Sequence, residues 1–380
     1  MKPLRLIPCL ALSFLSLVLP ARAALPVPPP PQIEARAWLL IDAASGLPLA
    51  EKNADAKVEP ASLTKLMTAY LAFAALKEGR LKPEQTLPVS EKAWKAEGSR
   101  MFLDPRKPAR VDDLLKGVIV QSGNDACIVL AEAIAGSEEG FASMMNQTAK
   151  RLGMTGTHFL NSTGLPHPQH MTTARDLARL AGALIRDFPE HYKLYSMREF
   201  AFNGITQPNR NRLLFMDPSV DGVKTGHTQS AGHCLIASAQ REQRRLLSVV
   251  LGAGSDSGRA MESQKLLNYG FQFFETVKLY PANQAVASLR IYKGKGSQVK
   301  AGFLGDFHVT VPRGSAKNIQ AQTVTQQPLL APVRRGQRLG TLRVSVDGQP
   351  VGEYPLLALE DIAVSGILGR GWDNILLMLR

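Results

Sequence analysis

The chain has 380 residues, 45% of them hydrophobic, and a formal net charge of +13. That length and apolar content exclude a disordered chain and a disulfide-stapled miniprotein, and they allow two domains with cores of their own. The basic balance implies an anionic partner without naming one.

Residues 1–23 read as an export signal: Lys2 and Arg5 form a basic start, Leu6–Leu19 is an apolar run, and Ala21-Arg22-Ala23 fits a small-x-small cleavage site. The run is short for a membrane-spanning helix, and Cys9 lies in its middle rather than at a lipoprotein cleavage site. The mature chain is expected to begin near Ala24. Removing Lys2, Arg5 and Arg22 lowers the formal charge from +13 to +10, so the exported protein stays basic. Export disfavours nucleic acid as the partner and leaves an anionic membrane or the acidic cell-wall polymer. Cys127 and Cys234 remain, both inside apolar segments, and read as buried free thiols rather than a disulfide. Residues 24–32 form a proline-rich, semi-rigid leader.

Ala37–Asp42 and Leu47–Glu51 are expected to pair as a hairpin around Ala44-Ser45-Gly46. Helical periodicity follows over Ser62–Gly79, Val111–Val120, Asp125–Ala135, Glu138–Leu152 and Thr173–Asp187. The period then changes to that of strands over Gly222–Thr228, His233–Ala239 and Leu246–Gly252, before a helix from Asp256 to about Thr276. Two early strands and three late ones, with helices between, predict one antiparallel sheet built from both ends of residues 33–277. Over 278–360 short alternating stretches replace helical periodicity, with Asp347-Gly348 as a hairpin turn, and predict a small all-β domain.

Three short signals carry chemistry. Ser62-Leu63-Thr64-Lys65 puts a hydroxyl and an amine on one helix face, the arrangement of a nucleophile and its base. Pro60 suits the helix start, where the Ser62 N–H is free to face an oxyanion. Ser297-Gln298-Val299-Lys300 has the same spacing in a β-rich stretch, so the pattern alone decides nothing. Ser122-Gly123-Asn124 falls between two helical segments, on a loop that Gly123 is expected to pin. Lys224-Thr225-Gly226 lies inside a strand pattern, where a glycine marks close approach of something to the backbone; a substrate strand added to this edge would explain it.

The order Ser-x-x-Lys, Ser-x-Asn, Lys-Thr-Gly is shared by penicillin-binding proteins and class A β-lactamases. Over nearly its whole length the chain resembles the low-molecular-mass D-alanyl-D-alanine carboxypeptidases of the penicillin-binding protein 5/6 type. Pro60–Tyr70, Gln121–Ala131, Thr157–Leu165, Phe200–Arg212, Val220–Ala239 and Leu266–Val277 carry the resemblance. It implies an α/β (α+β) fold of the serine penicillin-recognising transpeptidase/β-lactamase type, with a central antiparallel sheet and flanking helices, followed by the small all-β C-terminal domain. It also implies roles. Ser62 forms the acyl-enzyme, and Lys65 is its base, with a pKa lowered by burial and by Lys224. Ser122 relays a proton to the leaving D-alanine, and Asn124 holds Lys65 and the substrate amide. The N–H groups of Ser62 and His227 form the oxyanion hole. Lys224, Thr225 and Arg259 bind the terminal carboxylate, beside Gly226. No metal or cofactor is implied. The segment Lys92–Met101 looks shorter than the active-site loop of some relatives, so deacylation behaviour tied to that loop is not carried over. His158, His167, His170 and Asp176 match no usual zinc spacing.

The implied partners are peptidoglycan stem peptides ending in D-Ala-D-Ala and β-lactams as inhibitors. A class A β-lactamase would need a glutamate roughly 35 residues after Ser-x-Asn, yet no Asp or Glu occurs between Gly140 and Arg175. A D,D-endopeptidase of the same fold and an inactive cell-wall-binding scaffold are the other readings. Residues 361–380 place Val364, Ile367, Leu368, Trp372, Ile375, Met378 and Leu379 at helical spacing, and predict an amphipathic helix lying on the periplasmic face of the cytoplasmic membrane.

Overall fold

The computed structural model describes residues 27–325, 327–367, 373–374 and 377–378. The expected export signal, the first residues of the leader and most of the expected tail helix lie outside the described residues.

Strands β1 (Ala37–Asp42) and β2 (Pro48–Lys52) form the expected hairpin, and Asp42 Oδ1 closes its turn by accepting from Ala44 N at 3.0 Å and Ser45 N at 3.1 Å. A 3-10 turn (Ala61–Thr64) then leads into α1 (Lys65–Lys77). The sequence placed Ser62 inside an α-helix. It sits instead in this tighter turn, closed by Leu63 N on Pro60 O at 3.1 Å, because Ala61 takes a positive φ of 47°. Helix α1 is apolar on almost every face and is buried from Lys65 through Phe73.

Short strands β3 (Thr86–Leu87) and β4 (Ala109–Arg110) flank α2 (Glu91–Trp94). The helix expected over Val111–Val120 is α3 (Val111–Lys116) running on into a π turn (Gly117–Gln121), with Gly123 N reaching back to Gly117 O at 3.0 Å. Next come α4 (Asn124–Ala135), α5 (Glu138–Arg151) and α6 (Ala174–Asp187); the side chains of Ser137 and Thr173 cap the last two. After α7 (Pro189–Tyr192), the hairpin β5 (Glu199–Phe202) and β6 (Ile205–Pro208), and α8 (Leu213–Met216) come three long strands. They are β7 (Val220–Thr228), β8 (Gly232–Arg241) and β9 (Arg244–Ala253), and α9 (Asp256–Phe273) follows.

The antiparallel sheet has the order β2-β1-β9-β8-β7, so both chain ends of this unit meet at the β1–β9 ladder and β7 is an edge. Its two-residue period splits the core. Leu39, Ile236 and Val249 face the helical layer with α1, α4 and α6, while Leu40, Leu235 and Val250 pack with α9 residues Leu266 and Leu267. Helix α9 ends at Phe273, short of the expected Thr276. Phe274 turns extended and opens β10 (Phe274–Tyr280), whose alternating residues gain a full ladder with β13 (Phe307–Pro312).

The remaining strands are β11 (Ala285–Tyr292), β12 (Gln298–Gly302), β14 (Ile319–Thr325), β15 (Leu329–Leu330), β16 (Arg338–Val346) and β17 (Gln349–Ala358), in the order β14-β16-β17-β12-β11-β15. Asp347 and Gly348 both have positive φ, as the tightest hairpin turn requires. Lys300 lies on β12 rather than a helix, so the second Ser-x-x-Lys does not form a nucleophile–base face. The tail departs from expectation at its start. Ile362 and Val364 bridge Val333 and Gly294 in extended form, and Ser365 N donates to Lys293 O at 2.8 Å, so no helix begins at Asp361. Beyond it Asp373 accepts from Lys293 N, while Ile367 and Met378 are exposed.

Candidate active site

The 3-10 turn and the first residue of α1 bring Lys65 Nζ to 3.0 Å from Ser62 Oγ. Lys65 is buried, Ser62 is half-buried, and the ammonium's second partner is Thr163 O at 2.6 Å. Burial pushes the Lys65 pKa down to about 8, with the charge of Arg210 adding to the fall and Cys127 and Asp125 opposing it. The expectation that burial lowers it holds, but the lowering charge is Arg210 rather than the expected Lys224. Lys224 is pushed well below its usual value too, first by burial and then by the charge of Lys65. Two buried amines therefore share one low-dielectric site.

Ser122, not Gly123, takes the left-handed conformation, with φ 61° at the end of the π turn. A non-glycine residue held there stores strain of order 1–3 kcal/mol. Its hydroxyl accepts from Lys224 Nζ at 3.0 Å. Gly123 serves close approach instead: a Cβ there would lie 2.8 Å from Asp125 Oδ1 and 3.2 Å from Met101 N. Asn124 Nδ2 donates to Glu97 O at 2.5 Å rather than contacting Lys65, because Gly98 with φ 79° carries the backbone of this segment against it.

Edge strand β7 supplies Lys224, Thr225, Gly226 and His227, of which only His227 is exposed. The close approach signalled by Gly226 comes from within the chain: a Cβ there would meet Pro60 O at 3.2 Å and Leu63 N at 3.3 Å. Strand β7 is thus pressed onto the turn that carries Ser62. Arg259 on α9 donates from Nη1 to Gly226 O at 2.9 Å and pairs with Asp256. With Arg210, Arg212, His227 and His233 it lines a cavity of about 350 Å³.

Sequence reading missed three contributors. Thr163 acts through a backbone oxygen, which no side-chain motif encodes. Asp125 is fully buried, and its carboxylate accepts from Met101 N at 3.0 Å and Leu103 N at 3.1 Å, fixing the wall beside Ser122. Arg210 lay in a resembling stretch but in no motif. The histidines weighed as metal ligands have other partners or places. His170 Nε2 meets Thr64 Oγ1 at 3.0 Å, burial holds its pKa near about 4, and Asp176 accepts from Gly156 N and Thr157 Oγ1, each at 2.8 Å. His158 bridges Met171 through its backbone, and His167 is exposed. Cys127 and Cys234 are buried and free.

The family model of the S11 peptidases, described as D-alanyl-D-alanine carboxypeptidase, matches residues 24–255, and that of the penicillin-binding protein 5 C-terminal domain matches 274–364. The chain is 46% identical over 355 residues to the D-alanyl-D-alanine carboxypeptidase DacC of Escherichia coli, covering 91% of this chain and 89% of that one. Penicillin-binding protein 5 from Haemophilus influenzae superposes with a TM-score of 0.83 at 40% identity, covering 88% of this chain and 99% of its own. Penicillin-binding protein D2 of Listeria monocytogenes, solved in its ampicillin-bound form, matches with a TM-score of 0.60 at 32% identity, over 64% of this chain and 100% of its own. A serine–lysine pair at a buried helix start, on a fold shared with these proteins, places the chain in the D-alanyl-D-alanine carboxypeptidase family of S11 peptidases.

Proposed function

We propose that this protein removes the terminal D-alanine from peptidoglycan stem pentapeptides through an acyl-enzyme on Ser62, and that penicillin acylates the same hydroxyl. The observation that carries this reading is the 3.0 Å pair of Ser62 Oγ and Lys65 Nζ, with the lysine buried and its pKa lowered to about 8. Neutral Lys65 takes the Ser62 proton as Oγ attacks the penultimate D-alanine carbonyl. The backbone N–H groups of Ser62 and His227 receive the oxyanion. Ser122, hydrogen-bonded to Lys224, passes a proton to the departing D-alanine amine, and water then hydrolyses the ester. Neither step uses a metal or cofactor.

Substrate specificity follows from charge. Arg210, Arg212 and Arg259, partly offset by Asp256, line a cationic cavity beside the buried Lys224 and Thr225 of β7, an end that suits a free terminal carboxylate, and the open edge of β7 suits an added substrate strand. This end favours an exopeptidase over the D,D-endopeptidase reading. The β-lactamase reading lacks the glutamate it needs roughly 35 residues after Ser-x-Asn, since no Asp or Glu occurs between Gly140 and Arg175.

The proposed organisation is an export signal at 1–23, the leader at 24–32, the catalytic domain at 33–277, the β domain at 278–360 and the tail at 361–380. The protein then acts on the periplasmic side of the cytoplasmic membrane, held there by its tail. Among the described residues no helix is long and apolar enough to cross a membrane.

Mass spectrometry of a pentapeptide after incubation tests the activity: loss of one alanine is expected, and cleavage only at crosslinks would favour the endopeptidase. Ser62→Ala is expected to abolish both hydrolysis and labelling by a fluorescent penicillin. Labelling that survived this substitution would move the nucleophile elsewhere.

A further inference from the structure

Glu138 opens α5 and belongs to none of the motifs, yet its side chain is only 11% exposed. Its Oε1 accepts from Ser162 N at 3.0 Å and Ser162 Oγ at 2.7 Å, and its Oε2 pairs with Lys92 Nζ at 3.0 Å. Burial disfavours the carboxylate, but the Ser162 and Lys92 bonds outweigh it, and its pKa is lowered. Its place in the first turn of α5 adds the favourable end of a helix dipole.

Ser162 continues the path. Its carbonyl accepts from Thr68 Oγ1 at 2.6 Å, and the next carbonyl, Thr163 O, accepts from Lys65 Nζ at 2.6 Å. Leu160–Gly164 is an irregular segment, so its polar backbone relies on side chains rather than on a ladder. Asn161 Oδ1 receives Gly164 N at 2.7 Å, and His170 Nδ1 receives Leu160 N at 3.3 Å. Glu138 is the ionised group in this set.

We propose that Glu138 is a positioning residue for acylation, holding the Leu160–Gly164 segment so that Thr163 O stays on Lys65 Nζ. The inference rests on the reading of Lys65 as the base. The charged and titratable groups around that lysine are Asp125 and Cys127 on α4, Lys224 on β7 and Arg210; those beside Glu138 are Lys92 and Glu139. A carbonyl on Nζ favours the ammonium form, so losing it moves the base's titration to lower pH while the amine loses its aim.

Three variants test this: Glu138→Ala, Glu138→Gln, which keeps an acceptor for Ser162, and Ser162→Ala, which removes one of the two bonds. Acylation by a fluorescent penicillin is followed from about pH 6 to 10, across the lysine range, together with thermal unfolding. Glu138→Ala is expected to lower the plateau rate on the order of 10- to 100-fold and shift the midpoint down. Ser162→Ala should do so more weakly, and Glu138→Gln should stay close to wild type. A Glu138→Ala protein with the wild-type rate and midpoint overturns the proposal, as does one that only melts earlier. If Glu138→Ala does not fold, a wild-type midpoint in Ser162→Ala overturns it instead. Wild-type protein that penicillin never labels would defeat the proposed function rather than this inference. Amide hydrogen exchange at Ser162–Gly164 needs no activity. Faster exchange in Glu138→Ala supports the hold, and unchanged exchange overturns it.

Discussion

Lys65 sets the pH behaviour of the proposed reaction. In that reaction its amine is the proposed base, and the free amine predominates only above its pKa of about 8. At pH 7 roughly a tenth of the molecules then carry it. Acylation by penicillin is expected to rise about tenfold from pH 7 toward a plateau above pH 9, and stopped-flow labelling across that range measures it. A flat profile would remove Lys65 from the role of base. The same depression has a stability counterpart. Between about 8 and the ordinary value of 10.5 the unfolded chain binds more protons at this site than the folded one, so the site's contribution to stability rises with pH through that window and is lost as pH falls through about 8.

At the scale of elements, the site is a meeting of turns, each forced close by a glycine or a strained residue. Gly164 is the tightest. It has φ 86°, and a Cβ on it would fall 1.8 Å from Ala61 O, in the turn that carries Ser62. The neighbouring carbonyl of Thr163 could not keep its place on Lys65 if that contact opened. Gly164→Ala should destabilise the protein by about 2–4 kcal/mol, combining left-handed strain with overpacking, and should lose acylation more than a surface substitution of equal stability cost. Calorimetry and penicillin labelling read the two effects separately. A variant with wild-type melting and labelling would show that Ala61 and Gly164 are not packed this closely.

Across the whole molecule, partly buried polar bonds tie the catalytic sheet to β10 and β13. Asp42 Oδ2 accepts from Arg244 Nε at 3.0 Å and Thr276 Oγ1 at 2.6 Å, and the hydroxyls of Ser45 and Thr310 lie 2.6 Å apart. Further along the chain, residues 362–365 are strapped to the β-rich unit by backbone bonds. A truncation that tests the tail must therefore spare them. A chain ending at Ser365 should fold, keep its penicillin labelling and move into the soluble fraction, whereas the full chain pellets with membranes. Pelleting that survives this truncation would show that attachment lies elsewhere.

The sequence by itself determined the order of elements, since apolar residues recur at the helical period over α4, α5 and α6, α1 is a nearly continuous apolar run, and β7 to β9 follow the strand pattern. It also supplied the candidate residues Ser62, Lys65, Ser122, Lys224 and Thr225, through the order of three motifs that the family shares rather than through any one local string. Only the tertiary structure decided their aim. The 3-10 turn at Ala61–Thr64, the left-handed Ser122 and the pressing of Gly226 onto Pro60 and Leu63 are held by contacts between segments roughly 100 to 170 residues apart, which no local period encodes. The same holds for Thr163 and Glu138. One acts through a carbonyl that every residue possesses, and the other through a loop that lies 24 residues away in the chain. A sequence records which groups are present, while the depth of burial that shifts Lys65 and the acceptor that orients it exist only once the chain has closed around them.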